Sequence, residues 1–231
     1  MKKGFTLAEV LITLGVVGIV AVLTVPAVMK NYRNRMYVAQ LQKVSAQLSD
    51  AAQAIMNNEH VDNFYETKAA NPNSCSDASK GACEKGPGYL LNNYMKPLKR
   101  NCIDGNDPCA SSTGSVYTNM QGQALNFGFG GYCIYTTNGA TVCASYNVNN
   151  NCMSVAVDVN GMVEPNMAGR DIFAMDIHKD GTLSDWGGGC ADNSFGCDKS
   201  LCGTGRGKDS VSQASCGCYS RLIKSDWNMD Y

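Results

Sequence analysis

The apolar residues of this chain follow three successive patterns, and the first is an almost continuous hydrophobic run. Residues 5–29 hold a single charged side chain, Glu9. As a helix rising about 1.5 Å per residue, this segment would be about 37 Å long, which is enough to cross the hydrocarbon core of a bilayer. The pattern predicts a membrane-spanning helix that carries one carboxylate.

The second pattern is helical periodicity after the apolar run. Lys43, Gln47 and Asp50 fall away from a stripe of apolar positions spaced three or four residues apart, which predicts that the helix continues over residues 30–58 with one buried face. The stripe consists of Tyr37, Leu41, Val44, Leu48, Ala51 and Ile55. A coiled-coil seam is the alternative. The stripe covers fewer than three heptads and has no ordered charged residues beside it, which favours packing on the chain's own sheet.

The third pattern is that of short strands joined by tight turns. The segments "SVYTNMQGQALNFGF", "GYCIYTTNGATVCASY" and "DIFAMDIHKDGTLSDW" each hold two extended runs around Gln-Gly, Asn-Gly or Asp-Gly, dipeptides that favour hairpins. In "CMSVAVDV" between them, Met153, Val155, Val157 and Val159 share one face. We therefore expect an α+β fold in which an antiparallel meander packs on the helix stripe.

Composition is consistent with a folded domain rich in turns. The 231 residues are 44% hydrophobic and 17% charged, with 24 glycines and a net charge of -1. These values argue against a disordered chain and against a polycationic nucleic-acid binder. Residues 60–115 are rich in turn formers and read as irregular, except for a short helix within "GYLLNNYMKPLK".

Twelve cysteines behind an apolar N-terminal segment indicate an exported domain with disulfide bonds. Zinc is the alternative, but the chain has no C-x-x-C unit, so disulfides are favoured. The candidates are Cys75, Cys83, Cys102, Cys109, Cys133, Cys143, Cys152, Cys190, Cys197, Cys202, Cys216 and Cys218.

Short spacing suggests three local pairs, Cys75 with Cys83, Cys102 with Cys109 and Cys133 with Cys143. The third pair depends on the hairpin at Asn138-Gly139, because only a three-residue loop with a bulge at Gly139 puts the two cysteines opposite each other. Cys216 and Cys218 are separated by one residue, so we expect them to have different partners. The five cysteines of the C-terminal region, together with Cys152, would complete the pairing.

The sequence "KGFTLAEVLITLGVVGIVAVLTVPA" resembles the N-terminus of type IV pilins and type II secretion pseudopilins. In this resemblance Gly4 precedes the cleavage site, Phe5 becomes the N-methylated first residue, Glu9 is the buried glutamate and Pro26 the helix-weakening proline. It implies cleavage between Gly4 and Phe5 by a prepilin peptidase in the inner membrane. Partners would be an inner-membrane assembly platform, further copies of the chain and related pilins, in a surface or periplasmic filament.

The resulting division is a leader (1–4), a filament-core helix (5–29), its amphipathic continuation (30–58) and a disulfide-rich domain (59–231). The resemblance also implies that the cysteine-rich region 187–231 is exposed on the filament surface.

Cleavage would create an ammonium group at Phe5, and Glu9 of a staggered neighbour could neutralise it. In a low dielectric this pairing offsets two desolvation costs, whereas either charge alone would be strongly unfavourable. Pro26 removes a backbone donor, so we expect a kinked or locally melted helix over residues 21–26. A proline simply tolerated near the membrane boundary is the alternative.

Evidence for chemistry is sparse. His60 and His178 have no nearby nucleophile or metal spacing, and common catalytic motifs are absent, so we expect a protein that is not an enzyme. Some pseudopilins bind calcium in C-terminal loops, which makes acidic turns weak Ca2+ candidates, although turn formation alone is the favoured explanation. The candidates are Asp158, Asn160, Asp171, Asp176 and Asp180.

Taken together, these features predict a structural filament subunit. Lys96, Lys99 and Arg100 could contact DNA, but a solvated loop is the more common reason for such a cluster. One alternative is an exported, membrane-anchored disulfide-rich domain that binds or hydrolyses a ligand. Another is a minor or tip subunit with an adhesive or DNA-binding role, but Glu9 argues for a place inside the filament.

Overall fold

A long helix dominates the N-terminal part of the chain. The computed structural model describes residues 4–187, 202, 210–229 and 231, and its first element is helix α1, Leu7–Glu59. The chain separates into one compact unit that ends at Met36 and another that begins at Tyr37. The helix ends where predicted, because His60 takes a left-handed conformation with a φ of 56°.

Within the described residues, the globular unit contains a two-stranded hairpin, three short α-helices, two 3-10 turns at Phe64–Glu66 and Gly114–Val116, and one six-stranded sheet. Strands β1 to β8 are Ser74–Asp77, Ala82–Lys85, Pro97–Arg100, Tyr132–Thr136, Thr141–Asn147, Cys152–Asp158, Ile172–Ile177 and Leu183–Asp185. Helices α2 to α4 are Pro87–Tyr94, Val211–Ala214 and Cys218–Lys224. Strands β3 to β8 pair antiparallel in chain order, which confirms the α+β meander.

One face of this sheet packs on the stripe of α1. Leu41, Leu48 and Ile55 are fully buried, in the same cluster as Val155 and the rest of the inward face of β6. Met153, Val157 and Val159 belong to that cluster as well, so the predicted alternation along this strand is confirmed. The helix stripe therefore provides one side of the main core.

The opposite face of the sheet is also covered, which the sequence did not predict. Ala156, Ile172 and Ala174 lie in a second buried cluster with Tyr117 and Phe129 from the long loop before β4. Every residue of β7 is buried, including its polar Asp176. A strand that is buried on both faces is apolar along its whole length and lacks the apolar–polar alternation of a half-exposed strand. Alternation therefore does not reveal that the second face of β7 is covered.

The β4–β5 hairpin has the bulged register. The backbone N–H of Thr136 donates to the carbonyl of Ala140 at 2.9 Å, and Gly139 in the intervening three-residue loop has a φ of 84°. Cys133 and Cys143 are consequently direct neighbours across the pair, with a Cα–Cα distance of 4.0 Å. The register thus permits their disulfide bond.

Four disulfide bonds lie within the described residues: Cys75–Cys83, Cys102–Cys109, Cys133–Cys143 and Cys202–Cys218. The first three are the local pairs expected from spacing. Cys152 and Cys216 are also disulfide-bonded, so Cys216 and Cys218 do have different partners. Cys190 and Cys197, with most of region 187–209, lie outside the described residues.

Two loop regions differ in detail from what the sequence predicts. The segment around Gln121-Gly122 turns back on itself as predicted, since Thr118 is opposite Ala124 and the Asn119 N–H donates to the Gln123 carbonyl at 3.0 Å, but it forms an isolated antiparallel bridge and not two regular strands. The Asn119 side chain also shapes this turn, because its oxygen accepts from the backbone N–H groups of Gln121 and Gln123. The region 60–115, expected to be irregular outside α2, contains β1, β2 and β3.

Replacing Leu48 with alanine tests the role of the helix stripe. Leu48 is fully buried, so Leu48→Ala should lower the free energy of unfolding by about 2–5 kcal/mol through lost burial and a residual cavity. The control Leu98→Ala makes the same change at a side chain that is 61% exposed and should stay within about 0.5 kcal/mol of wild type. Urea titration of the full chain in detergent measures both, and equal losses would contradict this core assignment.

Candidate processing and assembly segment

The N-terminus of α1 is closed by a reciprocal capping box between Thr6 and Glu9. The backbone N–H and the hydroxyl of Thr6 both donate to Oε2 of Glu9 at 2.8 Å. In return, the backbone N–H of Glu9 donates to Oγ1 of Thr6 at 3.3 Å. Because the first N–H groups of a helix have no partner within it, this pair satisfies donors that would otherwise be unpaired.

The capping box leaves half of the carboxylate available. Both hydrogen bonds that the Glu9 carboxylate accepts from Thr6 end on Oε2, and the residue itself is exposed. The side chain therefore presents Oε1 outward beside the first turn of the helix. A carboxylate at this place is also favoured by the partial positive charge of the helix N-terminus.

The helix surface that follows this carboxylate is apolar and exposed. Leu7, Val22 and Leu23 are 80%, 73% and 74% exposed, and the most hydrophobic window of α1, with a mean hydropathy of 2.5, has none of its residues buried. By length and composition, α1 is the one helix of the described residues that could cross a membrane. Such a surface requires lipid or other apolar helices as its surroundings.

The polar groups inside the apolar segment are satisfied within the helix. The hydroxyl of Thr13 donates to the carbonyl of Val10 at 3.0 Å, and that of Thr24 donates to Val20 at 2.9 Å. These bonds reduce the cost of placing a hydroxyl in hydrocarbon. Glu9 is thus the one ionisable side chain of residues 5–29.

Pro26 lies inside α1 without interrupting it. The segment 21–26 is helical throughout, so it is not melted in the single chain, and the kinked alternative stays a prediction. Pro26 lacks the N–H that would bond the carbonyl of Val22. The hydrogen-bonded turns before and after Pro26 keep this part of the chain helical.

Comparison with known proteins supports the same segment. The family model described as the prokaryotic N-terminal methylation motif matches residues 1–25, and this motif is the signature of type IV pilins and pseudopilins. No curated protein and no solved structure matches the chain. With the apolar helix, the motif fits a processed, pilin-like structural protein that is exported and anchored by a single membrane pass.

The structure separates the acidic residues proposed as calcium ligands. Asp176 accepts hydrogen bonds from the Ser154 hydroxyl and the Gly187 backbone N–H, and exposed Asp180 accepts from Thr182. Asp158 and Asp171 instead lie together at the start and end of the β6–β7 loop. The described residues contain no group of three or more His, Cys, Asp or Glu side chains placed to bind a metal.

Burial governs the ionisation of this second pair. It raises the pKa of Asp158 well above its usual value, and the neighbouring charge of Asp171 acts in the same direction. Burial also raises the pKa of Asp171 to about 6, although backbone N–H groups of Met167 and Asn166 donate to its carboxylate. Two carboxyl groups are therefore held in a poorly solvated loop.

The remaining candidates form no site with each other. His60 lies at the end of α1, whereas His178 bonds the Ser184 hydroxyl. Of the basic cluster, Lys99 is paired with Asp107 at 2.6 Å and also lies 5.8 Å from the centroid of the Tyr135 ring. These contacts account for Lys99 within the fold.

Thr6 is the functional residue that sequence reasoning missed. Its signal was present, because T-x-x-E directly before an apolar run is the pattern of a capping box.

Substitution of Thr6 tests the capping box. Thr6→Val removes the hydroxyl that bonds Glu9, which should cost about 1 kcal/mol and raise amide exchange at Leu7 and Glu9 about fivefold. Thr6→Ser keeps the hydroxyl and should resemble wild type. Thr13→Val makes the same change one turn beyond Glu9 and is the matched control. Amide hydrogen exchange is measured by NMR in micelles. Equal effects of Thr6→Val and Thr13→Val would contradict the capping box.

Proposed function

We propose that this chain is a structural subunit of a helical filament of the type IV pilus or type II secretion class. The observation that carries the proposal is a single carboxylate at the capped start of α1, followed by an apolar segment that no part of the chain covers. Prepilin peptidase removes residues 1–4, Phe5 is methylated, and the helix then leaves the inner membrane to become part of the filament core. The methylation motif over residues 1–25 supports this processing.

The Glu9 carboxylate sets the register of assembly in this proposal. Cleavage leaves an ammonium group on Phe5, one residue before the Thr6 N–H that already bonds Glu9 Oε2. Oε1 then accepts a hydrogen bond from the ammonium group of a neighbouring subunit. One carboxylate thus caps its own helix and also pairs with the N-terminus of that neighbour. Removing either charge leaves its partner unpaired in a low dielectric, which costs several kcal/mol.

The apolar surface of α1 explains why two environments suit the same helix. Before assembly, lipid covers residues 7–29, and in a filament the equivalent helices of neighbouring subunits replace that lipid. Replacing lipid by neighbouring helices leaves the buried apolar area of α1 almost unchanged. The pairing of Glu9 with an ammonium group can therefore decide whether the membrane or the filament is favoured. Pro26 weakens one turn of this helix and so supports bending during the transfer.

A Glu9→Gln variant tests assembly. This substitution keeps the size of the side chain but removes its charge, so the chain should still begin at methylated Phe5 and remain in the membrane, yet be lost from the sheared surface fraction. Glu84→Gln changes an exposed glutamate of β2 in the same way and should behave as wild type. Intact and N-terminal peptide mass spectrometry of both fractions makes the measurement. Normal recovery of Glu9→Gln in sheared filaments would contradict the role given to the charge.

A Gly4→Val variant tests processing separately from assembly. A Cβ added at Gly4 meets no atom within 4 Å, so the substitution should not disturb the fold. We expect the leader to be retained and filament incorporation to stop, as judged by the N-terminal peptide mass. If even the wild-type chain keeps Met1 to Gly4 and never leaves the membrane, an anchored disulfide-rich binding domain becomes the better explanation.

A further inference from the structure

A cavity of about 600 Å³ lies on the second face of the six-stranded sheet. Its floor consists of three cross-strand pairs of β5 and β6 that share this face: Cys143 with Ala156, Ser145 with Ser154 and Asn147 with Cys152. Cys143 and Ala156 belong to the second buried cluster, so the cavity begins where that cluster ends. The short side chains of Ser145 and Ser154 leave room above the floor for a bound molecule.

The walls of the cavity are held in place by backbone hydrogen bonds. The Val211 N–H at the start of α3 donates to the Phe127 carbonyl at 3.1 Å, and the Gly128 N–H donates to the Ser112 carbonyl at 2.9 Å. The backbone at Phe127 is therefore fixed on two sides, whereas its ring is 67% exposed. Trp186 adds a second, partly buried aromatic side chain to the wall. Aromatic rings held in this way provide a preorganised packing surface for a ligand.

Several polar groups of the cavity are not used by the fold. The hydroxyl groups of Ser145 and Ser212 make no hydrogen bond among the described residues. The side-chain amides of Asn147 and Gln213 accept backbone N–H groups through their oxygens, and their NH2 groups donate to no described residue. None of the described residues that line the cavity is charged. The cavity thus offers neutral donors and acceptors beside aromatic rings.

This combination of groups suits a neutral sugar. A sugar carries hydroxyl groups around its ring, each of them a donor and an acceptor, and C–H groups on its faces that pack on aromatic side chains. A charged ligand would find no ion-pair partner among the described lining residues, and a purely apolar ligand would leave hydroxyl and amide groups unpaired. The cavity also has the volume of a small-molecule site, which is about 300–1,000 Å³.

We infer that this cavity binds one or two units of a neutral saccharide. Phe127 and Trp186 pack on the sugar ring. Ser145, Asn147 and Gln213 form hydrogen bonds with its hydroxyl groups. The site uses neither Glu9 nor the apolar part of α1, so it goes beyond the proposed filament function.

Fluorescence titration of the full chain tests the site. The chain has two tryptophans, so Trp227→Phe leaves Trp186 as the single emitter. The probes are maltose, cellobiose, lactose and N,N′-diacetylchitobiose, added in a zwitterionic detergent that contains no sugar. At least one of them should change the emission with a Kd of about 1 mM or below. Sialyllactose and glucose 6-phosphate carry charges and should bind at least about tenfold more weakly. No saturable change with any neutral probe, or tighter binding of the charged probes, would overturn the site.

Two variants at exposed positions locate the bound sugar. Phe127→Ala removes the packing surface and should weaken binding about tenfold, and Ser145→Ala removes one hydroxyl and should weaken it about fivefold. Leu98→Ala and Ser74→Ala make matched changes at exposed side chains that do not line the cavity, and both should bind as wild type. Wild-type affinity in both Phe127→Ala and Ser145→Ala, or equal losses in the controls, would overturn the inference.

Saturation-transfer NMR reports how the sugar lies in the cavity. Irradiation of the aromatic protons of the protein should transfer saturation mainly to the C–H protons on one face of the sugar ring. We expect this transfer to fall in Phe127→Ala and to persist in Leu98→Ala. Transfer that is even over the whole sugar and unchanged in Phe127→Ala would place the sugar elsewhere and overturn the site.

Discussion

The globular fold depends on one contact, the packing of the α1 stripe on the inward face of the meander. Leu41, Leu48 and Ile55 are fully buried in the same cluster as Val155 and Met175. A sheet of short strands has no stable partner of its own for that face, and an isolated amphipathic helix has none for its stripe. Before residue 30 the same helix has no single stripe and is apolar apart from Glu9 and its threonines, so one element serves two different surroundings.

The second face of the sheet is stabilised in another way. Its covering loops contain few large apolar residues, and disulfide bonds such as Cys102–Cys109 and Cys133–Cys143 lie within the buried cluster there. Covalent closure restricts the unfolded chain and so compensates for limited hydrophobic burial. This arrangement suits an exported domain, whose cysteines oxidise outside the cytosol.

Carboxylates lie at two places with little access to water. One is buried in the folded chain, and the other becomes buried in the proposed filament. Glu9 is shared between its own helix cap and, in the proposed filament, the ammonium of a neighbouring subunit. Asp158 and Asp171 lie at the two ends of the β6–β7 loop, where burial raises the pKa of both carboxyl groups. In both cases the cost of removing a charge from water defines what must accompany it.

The sequence by itself determined the features that depend on local periodicity or short spacing. These are the helix and its stripe, the strands β4 to β8, the Asn138-Gly139 bulge, three disulfide pairs and the processing motif. Each is encoded within a few turns or residues, where backbone geometry leaves few alternatives. The tertiary structure decided the second buried face, the side-chain contacts of Asn119 in the turn at Gln121-Gly122 and the burial of Asp158 and Asp171 at the ends of the β6–β7 loop. Those depend on side chains competing for backbone donors and on strands pairing across a long loop, and such non-local choices leave no periodic trace in the sequence.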